Sequence, residues 1–119
     1  MLNRNKFFIF FLAFAILPTL LSAQVAWLYP INPPIDDTVV LTYNTNTGNR
    51  AMAGMDGTVY LHTGAITDRS IDGGDWKHVI GNWGEDDGRV KMHSIGNGLH
   101  EFKFVIKDFY GLRPDENVQ

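Results

Sequence analysis

Tyr60 and His62, in "TVYLHT", and Trp76, which opens "DWKHVIGNW" after a polar loop, are the residues whose types and spacing best suit recognition chemistry. On a strand, successive side chains alternate faces, so Tyr60 and His62 share one face while Val59 and Leu61 share the other. A sugar presents an apolar C–H face that packs flat on an aromatic ring, and its rim hydroxyls need donors and acceptors such as His, Asn and Asp. A Tyr/His row beside an exposed Trp supplies both. The competing role for Trp76 is to cap the edge of the core.

Other chemistries find less support. The sequence contains no Gly-x-Ser-x-Gly, no cysteine, no Gly-rich phosphate loop and no His-Glu-x-x-His, so the common nucleophile, phosphate and zinc-protease patterns are missing. The aspartates, Asp36, Asp37, Asp56, Asp68, Asp72, Asp75, Asp86 and Asp87, fall in or beside predicted loops. There, carboxylates initiate turns by accepting from nearby backbone amides, a reading preferred over a glycosidase acid pair. The clusters Asp68/Asp72/Asp75 and Glu85/Asp86/Asp87 could offer oxygens to calcium, but neither has the spacing of an EF-hand loop, so structural roles are preferred and no cofactor is expected. His62, His78, His93 and His100 lack metal-ligand spacing, and no metal site is expected.

The elements that must carry these residues follow an export leader. Arg4 and Lys6, an apolar run from Phe7 to Leu17, and the small residues Ser22 and Ala23 have the three parts of a secretory signal, with cleavage expected after Ala23. Pro18 interrupts the run, which is short for a membrane span of about 20 residues. The expected destination is the periplasm or the cell exterior, with no membrane partner after cleavage. Loss of Arg4 and Lys6 takes the formal charge from −3 to −5, which disfavours nucleic acid and anionic membrane. Residues 24–119 suffice for one small domain, and without cysteine burial must stabilise it.

Six strands are predicted: "VAWLYP", "TVVLTYN", "TVYLHT", "WKHVIGNW", "RVKMHSI" and "HEFKFVI", with Asn/Gly-rich and acidic turns between them and no convincing helical period. In the last hairpin, a three-residue loop of Gly96, Asn97 and a left-handed Gly98 aligns Val90 and Met92 with Phe102, Phe104 and Ile106. It also sets His93 opposite Glu101, His100 opposite Ser94 and Lys91 opposite Lys103, making both histidines exposed cross-strand residues. Burying the large apolar residues, worth about 1.5–3 kcal/mol each, outweighs one like-charge pair. These strands predict an antiparallel immunoglobulin-like β-sandwich that lacks its last strand or two. The expectation is thus a domain interrupted before completion, marginally stable, with an open sheet edge near Phe102 to Ile106.

Trp76 and Trp83 lie seven residues apart, so an uninterrupted strand sends them to opposite faces. Trp76 is assigned to the ligand side with His78 and Ile80, and Trp83 to packing at the strand's end. A bulge at Gly81 would instead bring both rings to one face.

"VYLHTG", followed after a loop by "DWKHVIGNWG" and "VKM", resembles starch-binding modules of the β-sandwich type. The longer run "DDTVVLTYN…AMAGMDGTVYLHTGAITD…DWKHVIGNWG…VKM…FVIKDFYGLRPDENV" looks like the amino-terminal immunoglobulin-like module of secreted bacterial α-amylase-family glycoside hydrolases. The resemblance covers nearly all of residues 36–118, with Val59 to Gly84 its most specific block. It implies a non-catalytic α-glucan-binding module in which His62 and Trp76, with Tyr60 as a third, contact the sugar. It also implies a covalently linked catalytic domain, the carboxylate chemistry lying outside this chain. A structural spacer that packs on such a domain and binds no sugar is the alternative.

Overall fold

The alternation in "TVVLTYN" builds one of the two central strands of a four-stranded antiparallel sheet. In the computed structural model, which describes residues 24–119 apart from Asp56, that sheet has the order β1 (Ala26–Tyr29), β2 (Thr38–Asn44), β6 (Leu99–Val105), β5 (His93–Gly96). A second, two-stranded sheet pairs β3 (Thr63–Ala65) with β4 (Lys77–Ile80). The leader expected over residues 1–23 lies outside the described residues. No described helix is long and apolar enough to cross a membrane.

Residues directly opposite in an antiparallel ladder share a face. Val39 faces Phe104 and Leu41 faces both Phe102 and Leu28, so one face of the large sheet is apolar. Val39 is fully buried there, clustered with Ile106 and Leu112 and flanked by Phe104, Tyr110 and Val118. The rings of Phe102, Phe104 and Phe109 lie 5.1–5.4 Å apart and extend this cluster.

Three predictions change in this part of the chain. First, Ile106 does not continue the strand. Ile106–Tyr110 forms a short helix, α1, that ends at Gly111 with φ 61° and ψ 43°. The i, i+3 and i+4 spacing of Ile106, Phe109 and Tyr110 gives this turn one apolar side, and a left-handed glycine stops it. Second, the hairpin closes on two residues, Asn97 and Gly98, with φ 56° and 75°, the positive pair that matches strand twist. Ile95 is absorbed as a bulge between Ser94 and Gly96. That extra residue preserves the expected pairs, His93 opposite Glu101 and Ser94 opposite His100. His100, however, is buried at 8% exposure rather than exposed.

Third, Lys91 pairs with Tyr60 rather than Lys103. Leu61 N–H donates to the Val90 carbonyl and Met92 N–H to the Val59 carbonyl, each at 2.8 Å. Residues 59–61 and 90–92 thereby join the two sheets, and Val59, Val90 and Met92 become buried together with this link. The open edge expected near Phe102 is found in part. From Phe102 to Val105, β6 has a ladder partner only on its β2 side among the described residues.

Beyond α1 the chain folds back. Val118 bridges Thr67, Asp68 N–H donates to the Asn117 carbonyl at 2.9 Å, and Gln119 N–H donates to the Ile66 carbonyl at 3.0 Å. The Tyr110 hydroxyl lies 2.6 Å from the Thr63 hydroxyl, tying α1 to β3, and burial pushes the Tyr110 phenol pKa up.

Candidate functional site

The strand predicted over Thr58 to Thr63 is displaced: regular pairing in β3 starts at Thr63, and Tyr60 makes an isolated bridge. Val59 is buried as expected, whereas Leu61 is half-buried. His62 is exposed at the junction between this bridge and β3.

β4 decides where the tryptophans go. Thr63 pairs with Ile80 and Ala65 with Lys77, so β4 carries one residue more than β3 across the same interval. His78 takes up that bulge with φ 53°. The strand then turns at Gly81, φ 85°, where an added Cβ would lie 2.9 Å from the Leu61 carbonyl oxygen. Only glycine allows this close approach with positive φ. The bulge cancels the odd spacing of the two indoles.

The result is an aromatic row. The His62 ring lies 6.2 Å from the Trp76 ring and 5.9 Å from the Trp83 ring, between centroids, the second contact being edge-on at 79°. Trp76 is 47% exposed, its ring carbon Cε3 lying close over Gly64 of β3. Trp83 is 86% exposed, which corrects its assignment to packing. His62 Nδ1 is 3.2 Å from the Gly81 carbonyl oxygen. A carbonyl only accepts, so this bond places the proton of the neutral ring on Nδ1 and leaves Nε2 an acceptor.

Beside Trp83 opens a cleft of about 360 Å³ whose walls include Tyr60, His62, Asn82, Glu85 and Asp86. Asn82 is held by donating its side-chain amide to Glu85 at 3.0 Å. The cleft thus offers an indole face, a phenol, an imidazole acceptor and carboxylates, a set matched to a neutral polyol. Of the three residues expected to act together, His62 and Trp76 meet directly, and Tyr60 joins His62 on the Trp83 side. Trp83 itself is the functional candidate that strand alternation misassigns. Its signal in the sequence is Gly81, two residues before it.

His78, expected beside Trp76, turns instead to the tail. Its Nε2–H donates to both Glu116 oxygens, at 2.9 and 3.0 Å. The Glu116 side chain is 1% exposed, and its pKa is lowered to about 2, first by the His78 bond and further by the Arg113 N–H and the Thr67 hydroxyl, against the opposing effect of burial.

Three aspartates serve turns: Asp72 accepts from Gly74 N–H, Asp75 from Ile71 N–H and Asp87 from Arg89 N–H. Asp68 instead ties down the tail by accepting from Asn117 N–H. Lys77 and Arg89 hold the Asp75 and Asp87 carboxyls below the ordinary carboxylate range. Among the described residues no three His, Asp or Glu side chains converge as a metal site.

Fold and site together define a small antiparallel β-rich domain with two exposed indoles flanking a histidine. No family model, curated protein or solved structure matches the chain.

Proposed function

We propose that this chain is an exported, non-catalytic carbohydrate-binding domain of immunoglobulin-like sandwich type, and that its ligand is an α-glucan such as starch. One observation carries the reading: Trp76 and Trp83 are both exposed and both within about 6 Å of His62, whose Nε2 is free to accept. Exposed indoles held at a fixed spacing suit the stacked C–H faces of a sugar chain. The resemblance of Val59 to Gly84 to starch-binding modules supports the choice of glucan, and supports an α-amylase-type catalytic domain as covalent partner. Trp76 and Trp83 stack on glucose rings, while His62 and Tyr60 bond the hydroxyls. Affinity for a short oligosaccharide is weak, on the order of micromolar to millimolar, because little area is buried.

Affinity electrophoresis through glycogen or starch gels tests this. The full chain should be retarded relative to inert proteins, Trp76→Ala and Trp83→Ala should each reduce retardation, and the double variant should abolish it. Unchanged mobility of the double variant sinks the assignment. The alternative, a spacer whose indoles dock on a linked domain, predicts no retardation of any form.

A further inference from the structure

A second cleft, distinct from the indole row, lies between the start of β4, the loop after β3 and the carboxyl-terminal tail. It has a volume of about 290 Å³ and is lined by Arg69, Lys77, His78, Arg113 and Glu116. Three of the chain's ten Lys and Arg residues therefore converge from three separate stretches of an otherwise acidic protein.

The ion pairs of the folded state do not use up these cations. Arg69 bonds Asp115 through one guanidinium nitrogen, at 2.9 Å, and Lys77 bonds Asp75 at 2.9 Å, so both keep unused N–H donors. Among the described residues, the Arg113 guanidinium has no hydrogen-bond or salt-bridge partner. The one carboxylate in the wall, Glu116, has both oxygens occupied by His78 Nε2–H, and Oε2 also accepts the Arg113 N–H at 3.3 Å. What the cleft leaves unsatisfied is N–H donors on cationic side chains, the whole Arg113 guanidinium and part of Arg69 and Lys77, while Asp115, Asp75 and Glu116 balance their formal charge.

We propose that this cleft binds a tetrahedral oxyanion, inorganic phosphate or the phosphate of a small ester. Guanidinium forks match the paired oxygens of phosphate, and the lysine adds a point charge. The volume lies at the lower end of ligand cavities, about 300–1,000 Å³, and so admits a small anion or a phosphorylated monosaccharide rather than a polymer. The tail is the gate to assembly of this site, because it brings Arg113 and Glu116 to β4 through the Thr67–Val118 bridge and the His78–Glu116 bond.

The test is ¹H–¹⁵N correlation spectroscopy of the full chain titrated with inorganic phosphate, glucose 6-phosphate or glucose, at ionic strength held constant with chloride. Saturable shifts of the His78 and Arg113 amides are expected with both phosphates and not with glucose. Arg113→Gln and Lys77→Gln should each weaken phosphate binding about tenfold, the loss of one charge-assisted contact, while leaving the spectrum dispersed. Equal affinity for the two phosphates assigns the free anion, and tighter binding of glucose 6-phosphate assigns the ester. Shifts no larger than those from chloride alone, or unchanged affinity in both variants, overturn the proposal. The wild-type comparison with chloride decides the matter even if a variant unfolds.

Discussion

Glu116 is the one carboxylate among the buried residues described. A carboxylate with 1% exposure is costly to bury unless its oxygens are bonded, and here His78, the Arg113 amide and the Thr67 hydroxyl supply donors. His78 reaches it from a left-handed backbone that few non-glycine residues adopt. The folded pKa, about 2, lies below the ordinary 4.5, so the charged form is favoured by folding. The stability this confers is fully present above pH 4.5 and is lost as pH falls toward 2. Urea midpoints measured from pH 6 down to about pH 2 should therefore show wild type above Glu116→Gln at pH 6, with the gap closing across that window. A gap that stays constant with pH would show that the charge is not what stabilises.

At the scale of the element, β4 shows how one extra residue sets a surface. Its bulge at His78 and its turn at Gly81 bring Trp83 round to His62, and Gly81 does so by lying against the Leu61 carbonyl. Gly81→Ala adds a Cβ at 2.9 Å from that oxygen in a backbone region hostile to side chains. The expected cost is about 1–3 kcal/mol in chemical denaturation, together with a shift in tryptophan emission and weaker glucan retention. Retained stability and retained glucan binding together would mean that the turn tolerates a side chain and does not position Trp83. The β5–β6 hairpin makes a related point, because its bulge at Ile95 keeps the faces in register although its turn is one residue shorter than strand patterning suggests.

For the whole molecule, two small sheets are joined by few contacts. Residues 59–61 bond 90–92, Tyr110 meets Thr63, and the tail closes on residues 66–68. The fully apolar core is correspondingly thin, with Val39, Val90 and Met92 among its most buried members and no Phe, Tyr or Trp ring fully buried among the described residues. The tail is thus expected to be a structural element. Ending the chain after Leu112 removes the partly buried Val118, the Glu116 partner of His78 and the Thr67 bridge. It should lower unfolding stability by roughly 2–3 kcal/mol, read as a lower urea midpoint. An unchanged midpoint would show that the tail merely rests on the surface.

Much of the larger sheet is legible from local pattern. The period-2 alternation of "TVVLTYN" and "HEFKFV" marks β2 and β6, and apolar faces select the pairs His93/Glu101 and Ser94/His100. Tyr60, His62 and Trp76 stand out because their residue types suit the recognition role proposed for them. What alternation could not decide is anything that depends on a positive φ or a distant partner. His78 bulges with its ring bonded to Glu116, 38 residues away, and Gly81 turns where the Leu61 backbone passes. Trp83 is exposed beside His62 for that reason, and Arg69, Lys77 and Arg113 meet only because the tail folds back. Side-chain alternation is a property of neighbouring residues, whereas bulges and clefts are settled by contacts that only the folded chain creates.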